Sequence, residues 1–524
     1  KNSQNNLRAV NYVICRSIGM SNKNADILLL LEGTYPYVRG GVSSWVHQII
    51  EGLPHYNFEL VFIGGAPEHY GEIQYTLPEN VTKLHVHYLV ENDTSEIKAK
   101  HGVKYKKELF DFWQQLQNYF RDCDEPIPTE LLKFAFETLA KKDGINEADF
   151  LYSESSWQVL TNYYSTFCDE SSFIDFFWSY RNLYKPLFKI AEIARGLPKV
   201  KLIHSISTGY AGILGSGASV ISDTPFLLTE HGIYTKERKI DLIQASWIKE
   251  SEQSLGKNLN TEMGFIRRMW ISFFEQIGRT TYQEADKVIS LYDGNRQRQI
   301  KDGAAPEKAF VVPNGIKTVR FIEALEQRPK QIPSVVGLIG RVVPIKDIKT
   351  FIRAIKEAQS MLPEVEGWII GPYEEDPQYY KECELLVGSL DLQSSVKFLG
   401  MQDITKILPK LGIVALTSIS EAQPLVLLEA MAAGVPVLAS DVGSCREIIE
   451  GGTDEDKALG KAGEVVSIAS PSETAQQISN MLTNEQVWLE YQKSGLDRVQ
   501  KFYDESHMFA RYDKLYKDTM AWPE

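Results

Sequence analysis

Two stretches of the chain repeat one local pattern, and this pattern restricts the possible folds more than any other feature. A short apolar strand is followed by a glycine-bearing turn and then by an amphipathic helix. The first copy has its strand at Ile27–Leu31 and its turn at Gly40 and Gly41. The second has its strand at Val335–Ile339 and a helix with apolar residues at helical spacing from Ile348. Strands that alternate with helices predict parallel sheets and an α/β fold.

The length of the chain predicts more than one domain. Its 524 residues are too many for a single hydrophobic core. We expect a first domain at 25–317, a second at 330–500, and a final helix at 501–524 that returns to the first domain. The charged, proline-bearing stretch 313–333 contains no strand pattern and is predicted to be the interdomain linker.

Two segments depart from the alternation of strands and helices. Residues 1–24 are expected to be a leader or an added tail, because "MSNKN" from Met20 resembles a native start. Residues 95–197 hold many aromatic side chains at helical spacing, as in "LFDFWQQLQNYF". They predict a helical insertion in the first domain. Either it is a plain core of packed helices, or it covers an acceptor or docks a partner.

Composition argues against several classes of protein. The formal net charge is -13, and no basic stripe is present, so a nucleic-acid partner is not expected. No apolar run approaches the roughly 20 residues that span a bilayer. The five cysteines form no C-x-x-C pair, which favours a reducing cytoplasm and gives no zinc site. No D-x-D triplet follows a strand, so no metal is predicted.

The segment "SEAQPLVLLEAMAAGVPVLAS" places two carboxylates around one helix start. Pro424 suits the first turn of a helix that ends at Gly434, with Glu421 on the preceding loop and Glu429 inside the helix. Free amides at a helix start bind anions. Carboxylates on both sides can accept hydrogen bonds from hydroxyl groups that flank such an anion, as in a sugar nucleotide. The alternative is one ordinary surface glutamate and one salt-bridged glutamate.

A second motif, "GRVVPIK", follows the first strand of the second half. Arg341 and Lys346 flank a turn that leads into a helix. Two cations at a helix start suit a diphosphate, because charge-assisted hydrogen bonds are strong and can stabilise a leaving group as its charge develops. Alone, such cations are usually solvated. Together with the two glutamates they favour a sugar-nucleotide site.

These motifs together resemble a known family. The order G-R-x4-K, "VKFLG" and S-x-x-S-E-x7-E-A-M-A-A-G-V-P-V resembles the retaining family-4 glycosyltransferases of GT-B fold. "EGTYPYVRGGVSSWVHQII" and "LTEHGIYTKERKIDL" are similar to the PelF-like subgroup, the cytosolic glycosyltransferases of Pel exopolysaccharide biosynthesis. The resemblance implies two Rossmann-like domains with parallel sheets that face a cleft.

The resemblance also implies roles for individual residues. Arg341 and Lys346 would hold the donor diphosphate and assist catalysis, Glu429 would bind the ribose, and Glu421 would hold the transferred sugar. Further donor-binding positions implied by the resemblance are Leu425, Val426, Leu399, Gly400, Met401 and Gly41. One departure matters: many relatives have E-G-F-G where this chain has "EAQP", so the loop near the sugar differs.

Further candidates lie at strand ends of the first half. His231 in "TEHG" would contact the donor sugar as a catalytic group, and the alternative is a hydrogen-bonded structural histidine. Asn295 could contact the donor. The charged run "KERK" at 236–239 could meet an acceptor, although a solvated charge run is the simpler interpretation.

The resulting functional expectation is a retaining hexosyltransferase without a cofactor. Its donor would be a UDP-sugar, with UDP-glucose as first choice, and its acceptor a growing Pel-type exopolysaccharide. It would act in the cytoplasm or peripherally at the inner face of the membrane, beside membrane-bound Pel synthase components. Two alternatives stay open: a UDP-sugar epimerase of the same fold, and a noncatalytic scaffold that binds sugar nucleotides.

Overall fold

The protein consists of two compact units. The computed structural model describes residues 13–14, 24–90, 107–122, 124–141, 143–168, 171–245, 247–248 and 264–521. One unit holds the described residues up to Ser290, together with Gln297–Phe310 and those from Asp513 onwards. The second holds Leu291–Arg296 and Val311–Tyr512. The predicted leader, residues 1–24, lies almost wholly outside the described residues.

The first unit is built on a predominantly parallel sheet. Its strands, in spatial order, are Val13–Ile14, Val81–Tyr88, Phe58–Gly64, Ile27–Glu32, Leu202–Ser205, Phe226–Glu230, Lys287–Ser290 and Ala309–Val311. The edge strand Val13–Ile14 is antiparallel to its neighbour, and the pairs from Val81–Tyr88 to Lys287–Ser290 are parallel. Apolar side chains fill both faces of the central strands, as expected for a sheet covered on both sides.

Helices cover this sheet and form the predicted insertion. The helices of the first unit outside the insertion are Gly41–Gly52, Tyr210–Ser222, Tyr234–Gln244, Phe265–Glu284 and the short 3-10 turns Pro67–His69 and Pro306–Lys308. The insertion contains Lys107–Asp122, Thr129–Thr138, Glu147–Tyr152, Glu154–Phe167 and Phe173–Gly196. Its start, at 95–106, lies outside the described residues.

The insertion has a core of its own that joins that of the sheet. Trp113 contacts Tyr184 and Phe188 with ring centroids 5.5 and 5.8 Å apart, and all three are buried. Interlocked aromatic rings of this kind bury large apolar areas. The prediction of packed helices in the first domain is therefore confirmed.

The second unit is built on a parallel sheet of six strands. Their spatial order is Val396–Gly400, Glu366–Ile370, Val335–Ile339, Ile413–Leu416, Val437–Ser440 and Gly463–Val466. The helices of this unit are Asp293–Lys301, Ile322–Glu326, Ile348–Gln359, Pro377–Ser389, Ile404–Ile407, Leu425–Ala432, Cys445–Glu450, Asp454–Lys457, Pro471–Thr483, Glu485–Arg498 and Glu505–Met520, the first and last of which continue into the other unit. Short 3-10 helices lie at Thr318–Phe321, Pro344–Lys346 and Leu408–Lys410, and a π-helical turn at Val499–Tyr503.

The stretch predicted to be a linker differs from expectation. It forms the helical pair Thr318–Phe321 and Ile322–Glu326, which belongs to the second unit. Phe321 and Ala324 are each 1% exposed and pack into the core of that unit. Phe321 and Ala324, three residues apart, lie on the buried face of this pair, whereas Val319 and Ile322 are exposed.

The C-terminal helix changes unit at Asp513. Beyond that residue it contacts the first sheet: Tyr56 donates a hydrogen bond to Asp513 at 3.0 Å, and Tyr516 bonds to the His204 ring at 2.9 Å. Among the described residues, no helix combines the length and the apolar character that crossing a bilayer requires.

Candidate functional site

The carboxyl ends of two neighbouring strands bring the motifs of the second half together. Val335–Ile339 leads to Arg341 and Lys346, and Ile413–Leu416 leads to Glu421 and the helix Leu425–Ala432. These strands pair in parallel. The strands Glu366–Ile370 and Val396–Gly400 lie on one side of Val335–Ile339. The next strand along the chain, Ile413–Leu416, lies on its other side, so the order of the strands switches at this pair. Ligands of open α/β sheets bind in the crevice at such a switch point.

Lys346 and Glu421 form an ion pair at this switch point. The Lys346 Nζ lies 2.5 Å from the Glu421 Oε1, and their side chains are only 18% and 13% exposed. Backbone contacts fix the turn that carries Lys346, since Thr417 Oγ1 donates to the carbonyls of Lys346 and Asp347 at 3.0 Å each. Glu421 therefore forms the salt bridge that was considered as an alternative to a functional role. Its partner in that salt bridge, Lys346, is itself a predicted site residue.

The start of the helix Leu425–Ala432 lies directly after Glu421. Pro424 precedes its first residue, and Leu425 and Val426 are half-buried. Gly443 packs so closely on this loop that a β-carbon there would lie 2.2 Å from the Glu421 carbonyl oxygen, and its φ is +54°. Glycine therefore allows the loop that follows Val437–Ser440 to approach the helix start.

Gln423, within "EAQP", binds the backbone of Asn314. Its Oε1 accepts from the Asn314 amide at 2.8 Å, and its Nε2 donates to the Asn314 carbonyl at 3.2 Å. The side chain is 8% exposed. Gln423 therefore fastens the loop that carries Glu421 to the segment just after the first sheet's last strand.

Gln423→Met is expected to lower the free energy of unfolding of the second unit by about 1–3 kcal/mol, because it leaves the buried amide and carbonyl of Asn314 without partners. Urea denaturation measures this loss. The matched control is Gln402→Met, because Gln402 is exposed and donates to the Leu399 carbonyl. Equal stability of both variants and the parent would show that the Gln423 contacts do not hold the loop.

Glu429 lies within the helix and is largely removed from water. Burial raises the pKa of its carboxyl to about 7, and the Arg320 cation opposes this shift. A carboxyl that titrates near neutral pH at a crevice is typical of a functional position.

Arg341 has a different environment from Lys346. Its guanidinium binds both oxygens of Glu375 at 2.6 and 2.7 Å, and both side chains are more than half exposed. Exposed ion pairs contribute little energy, so this pair can open at little cost. The structure therefore brings Lys346, not Arg341, into direct contact with Glu421.

The remaining predicted residues lie at several places. Leu399 and Gly400 end the strand Val396–Gly400 at the same edge of the second sheet, and Met401 beside them is 74% exposed. Asn295 is buried on the helix Asp293–Lys301, whose first amides are held by Glu447. Gly41 is the exposed first residue of Gly41–Gly52 in the first unit.

His231 lies in a cavity of the first unit. It follows the strand Phe226–Glu230, is 8% exposed, and its ring meets the Trp45 ring edge to face at 4.6 Å. Within the described part of the chain, neither ring nitrogen has a hydrogen-bond partner. Burial lowers the pKa of His231 to about 4, so its ring is neutral at pH 7. The alternative of a histidine held by structural hydrogen bonds is therefore not what the structure shows.

Comparison with known proteins decides the family. Residues 25–307 match the family described as Domain of unknown function (DUF3492), and residues 333–484 match Glycosyl transferases group 1. The chain belongs to the DUF3492 family, and its second half contains the match to Glycosyl transferases group 1. The chain is 27% identical over 264 residues to the phosphatidyl-myo-inositol mannosyltransferase of Mycolicibacterium smegmatis. That match covers 48% of this chain and 62% of the relative, which is less than two thirds of its length.

Two further comparisons support the family and the fold. The alpha-maltose-1-phosphate synthase of the same organism is 24% identical over 342 residues, covering 61% of this glycosyltransferase and 79% of the synthase. The crystal structure of HepE from Anabaena, in complex with UDP and glucose, superposes with a TM-score of 0.57 at 17% identity. It covers 94% of this chain and 100% of HepE. The predicted GT-B fold class is confirmed.

Several contacts of the glycosyltransferase could not be found from the sequence. Gln423 and Asn314 are 109 residues apart, and no local pattern links them. No sequence pattern had singled out Trp270, which lines the cavity that contains His231. The motifs around a predicted helix start had singled out Lys346 and Glu421, and a place at a strand end had singled out His231.

Proposed function

We propose that this glycosyltransferase transfers a hexose from a UDP-sugar, with UDP-glucose as first choice, and retains the configuration at the anomeric carbon. The observation that carries the proposal is the partly buried Lys346–Glu421 pair beside the start of Leu425–Ala432, at the switch point of the second sheet. A cation, free helix amides and a carboxylate together suit a diphosphate that is linked to a sugar. The UDP and glucose bound by HepE support this choice.

The chain's own groups account for the chemistry of transfer. Lys346 and the amides of Leu425 and Val426 would bind the distal phosphate and stabilise its growing charge as the sugar leaves. Glu421, released from Lys346 when the phosphate binds, would accept hydrogen bonds from the transferred sugar. The leaving phosphate would take the acceptor proton, as the resemblance to retaining relatives implies, so no separate base is required. Rate enhancement would then come from positioning and charge stabilisation.

The other donor contacts in this proposal come from the resemblance. Glu429 would accept from the ribose hydroxyls, and Arg341 would leave Glu375 for the diphosphate. Leu399, Gly400 and Met401 would line the base, and Gly41, Asn295 and His231 would contact the donor from their own segments. The exposed Glu375 pair and the raised pKa of Glu429 fit these roles.

The role of Glu429 gives a pH-dependent prediction. A hydrogen-bond acceptor for two hydroxyls works best as the charged carboxylate, so UDP affinity should rise as the pH increases through about 7. Glu429→Gln should bind UDP about tenfold more weakly at pH 8. The terminal phosphate of UDP titrates near pH 6 and adds a pH dependence of its own. The variant should keep that contribution to the pH dependence of UDP affinity and lose the rest. Calorimetric titration at pH 6, 7 and 8 measures both effects.

Stability provides the control for this variant. The folded state raises the pKa of Glu429 above its unfolded value, so ionisation between pH 4.5 and about 7 costs stability. Glu429→Gln should therefore be more stable than the parent at pH 8 while binding UDP less well. A variant that binds UDP with the affinity and pH dependence of the parent would remove the ribose assignment.

The acceptor in this proposal is a growing exopolysaccharide of Pel type, in the cytoplasm and beside membrane-bound Pel synthase components. The resemblance of the first half to PelF-like glycosyltransferases supports it. The five cysteines, without any C-x-x-C pair, fit a reducing compartment. No nucleic acid, metal or cofactor is part of the proposal.

Incubation of the purified protein with UDP-hexoses tests the proposal against its alternatives. Free UDP together with sugar on an added glycan is the expected result. A new sugar nucleotide without free UDP would identify an epimerase. Binding of UDP-hexose with neither product, across glucose, galactose and their N-acetylated forms, would favour the noncatalytic scaffold.

A further inference from the structure

The helical insertion carries four large apolar side chains on its outer surface. They come from three of its helices, Glu147–Tyr152, Glu154–Phe167 and Phe173–Gly196. Isolated apolar side chains are common on protein surfaces, whereas a contiguous group of them marks an interaction site. The exposed fractions are 49% for Tyr152, 50% for Trp157, 66% for Ile174 and 55% for Trp178.

Ring contacts and helical spacing join three of these side chains. The ring centroids of Trp157 and Phe177 are 6.3 Å apart, and those of Phe177 and Trp178 are 5.2 Å apart. Ile174 precedes Trp178 by four residues in the helix Phe173–Gly196, so both side chains lie on one face of that helix. Trp157, Ile174 and Trp178 therefore belong to one continuous surface.

Arg181 connects Tyr152 to the same surface. Its guanidinium carbon lies 5.5 Å from the ring centroid of Tyr152, and 5.0 and 5.7 Å from those of Phe177 and Trp178. A guanidinium that lies over an aromatic ring keeps the N–H groups at its edge free to bind a carboxylate. We define the insertion patch as the following residues: Tyr152, Trp157, Ile174, Phe177, Trp178 and Arg181.

The composition of the insertion patch is typical of a protein–protein interface. Tryptophan, tyrosine and arginine are the residues that most often dominate the binding energy of such interfaces, and the insertion patch contains all three. An anionic membrane surface suits it less well. Glu154 and Asp175, each three residues before a tryptophan of the patch, place two carboxylates beside the guanidinium of Arg181.

The charges beside the insertion patch complement each other across a two-fold axis. Within the described part of the chain, neither Asp175 nor Arg181 forms an ion pair. Asp175 lies three residues before Trp178, and Arg181 lies three residues after it. When two copies of this helix lie antiparallel and cross at Trp178, Asp175 of each copy is level with Arg181 of the other. A two-fold axis forms that pairing twice, so the insertion patch fits a second copy of itself.

We propose that the insertion patch joins two copies of this chain in a two-fold symmetric dimer. Ile174 and Trp178 would pack between the two helices, and Asp175 would bind Arg181 of the other copy. Burial of the rings would supply most of the binding energy, and the ion pairs would fix the antiparallel orientation. The inference does not rest on the proposed function, because none of these residues belongs to the donor crevice.

Analytical ultracentrifugation of the full chain, from about 1 to 100 µM, tests this inference. The parent is expected to reach twice the mass of one chain. Trp178→Glu should raise the dissociation constant of the dimer about 100-fold or more, because it places a charge at the centre of both copies of the surface. The matched control is Leu385→Glu, since Leu385 is 65% exposed on the helix Pro377–Ser389 of the second unit. It should dimerise as the parent does.

A charge exchange tests the pairing itself. Asp175→Arg and Arg181→Asp should each weaken the dimer about tenfold, because each places like charges level with one another. The variant with both substitutions should dimerise more tightly than either single variant. Unfolding or nonspecific adhesion would not produce this rescue, and circular dichroism shows whether each variant is folded.

Three results would overturn the inference. The first is a parent that stays monomeric at every concentration. The second is a folded Trp178→Glu protein that dimerises like the parent, and the third is a double variant no tighter than the single ones. A monomeric parent that binds vesicles of phosphatidylglycerol and phosphatidylcholine, and loses this binding in Trp178→Glu, would assign the insertion patch to a membrane surface instead.

Discussion

Lys346→Met is expected to lower the rate of sugar transfer by about 10²–10³-fold, the effect of removing one preorganised group that stabilises developing charge. Lys346 is the partly buried cation beside the start of Leu425–Ala432, and methionine keeps most of its length but not its charge. Its removal would also leave Glu421 in the crevice without a partner, which opposes the binding of a diphosphate there. Release of UDP from a UDP-hexose, measured with saturating donor and acceptor, gives the rate.

Two further variants test whether the loss of rate is specific to Lys346. Lys349→Met removes a nearby lysine that pairs with the half-exposed Glu382 at 2.7 Å, and it should leave the rate within about twofold of the parent. Arg341→Met should act less strongly than Lys346→Met, because Arg341 is half exposed and already held by Glu375. A folded Lys346→Met protein with the parent rate would show that Lys346 does not stabilise the leaving group.

Arg498→Leu is expected to destabilise the second unit by about 3–5 kcal/mol, the cost of breaking a buried ion pair from one side. Arg498 is fully buried at the end of the helix Glu485–Arg498. Its Nε binds the Asp456 carboxylate at 2.5 Å, and its two amino groups donate to the carbonyls of Ile449, Asp456 and Gly460 at 2.6–3.0 Å. Leucine would leave the buried Asp456 carboxylate without its cation and would remove one hydrogen bond from each of the three carbonyls. Urea denaturation followed by circular dichroism measures the loss.

Arg446→Leu is the control for Arg498. Arg446 pairs with Asp441 at 2.7 Å and with Glu450 at 3.2 Å, but its side chain is 51% exposed. Exposed ion pairs contribute about 0–1 kcal/mol, so this variant should be nearly as stable as the parent. Losses of the same size in both variants would mean that burial does not decide the strength of these pairs.

Elements with a strong local signal were predicted well. The strand Val335–Ile339 has the predicted bounds, and the helix predicted from Leu425 to Ala433 is found at Leu425–Ala432. Gly434, expected to end this helix, has a φ of +70°. Periodic apolar residues and a terminating glycine are local features, so the sequence alone can identify them.

Features that depend on distant contacts were not predictable. The charges and prolines of the stretch 313–333 predicted a linker, and only the structure shows Phe321 and Ala324 in a core. The pairing of Lys346 with Glu421 depends on which strands are neighbours in the sheet, and this order cannot be derived from helix and strand patterns. The roles of the site residues themselves stay predictions until a ligand is bound.

A crystal structure with UDP bound tests the central claim most directly, namely that the crevice at the switch point of the second sheet holds a nucleoside diphosphate. The expected density places the diphosphate against Lys346 and the amides of Leu425 and Val426, with the ribose hydroxyls at Glu429. Density for UDP anywhere else, or an empty crevice at saturating UDP, would contradict the account.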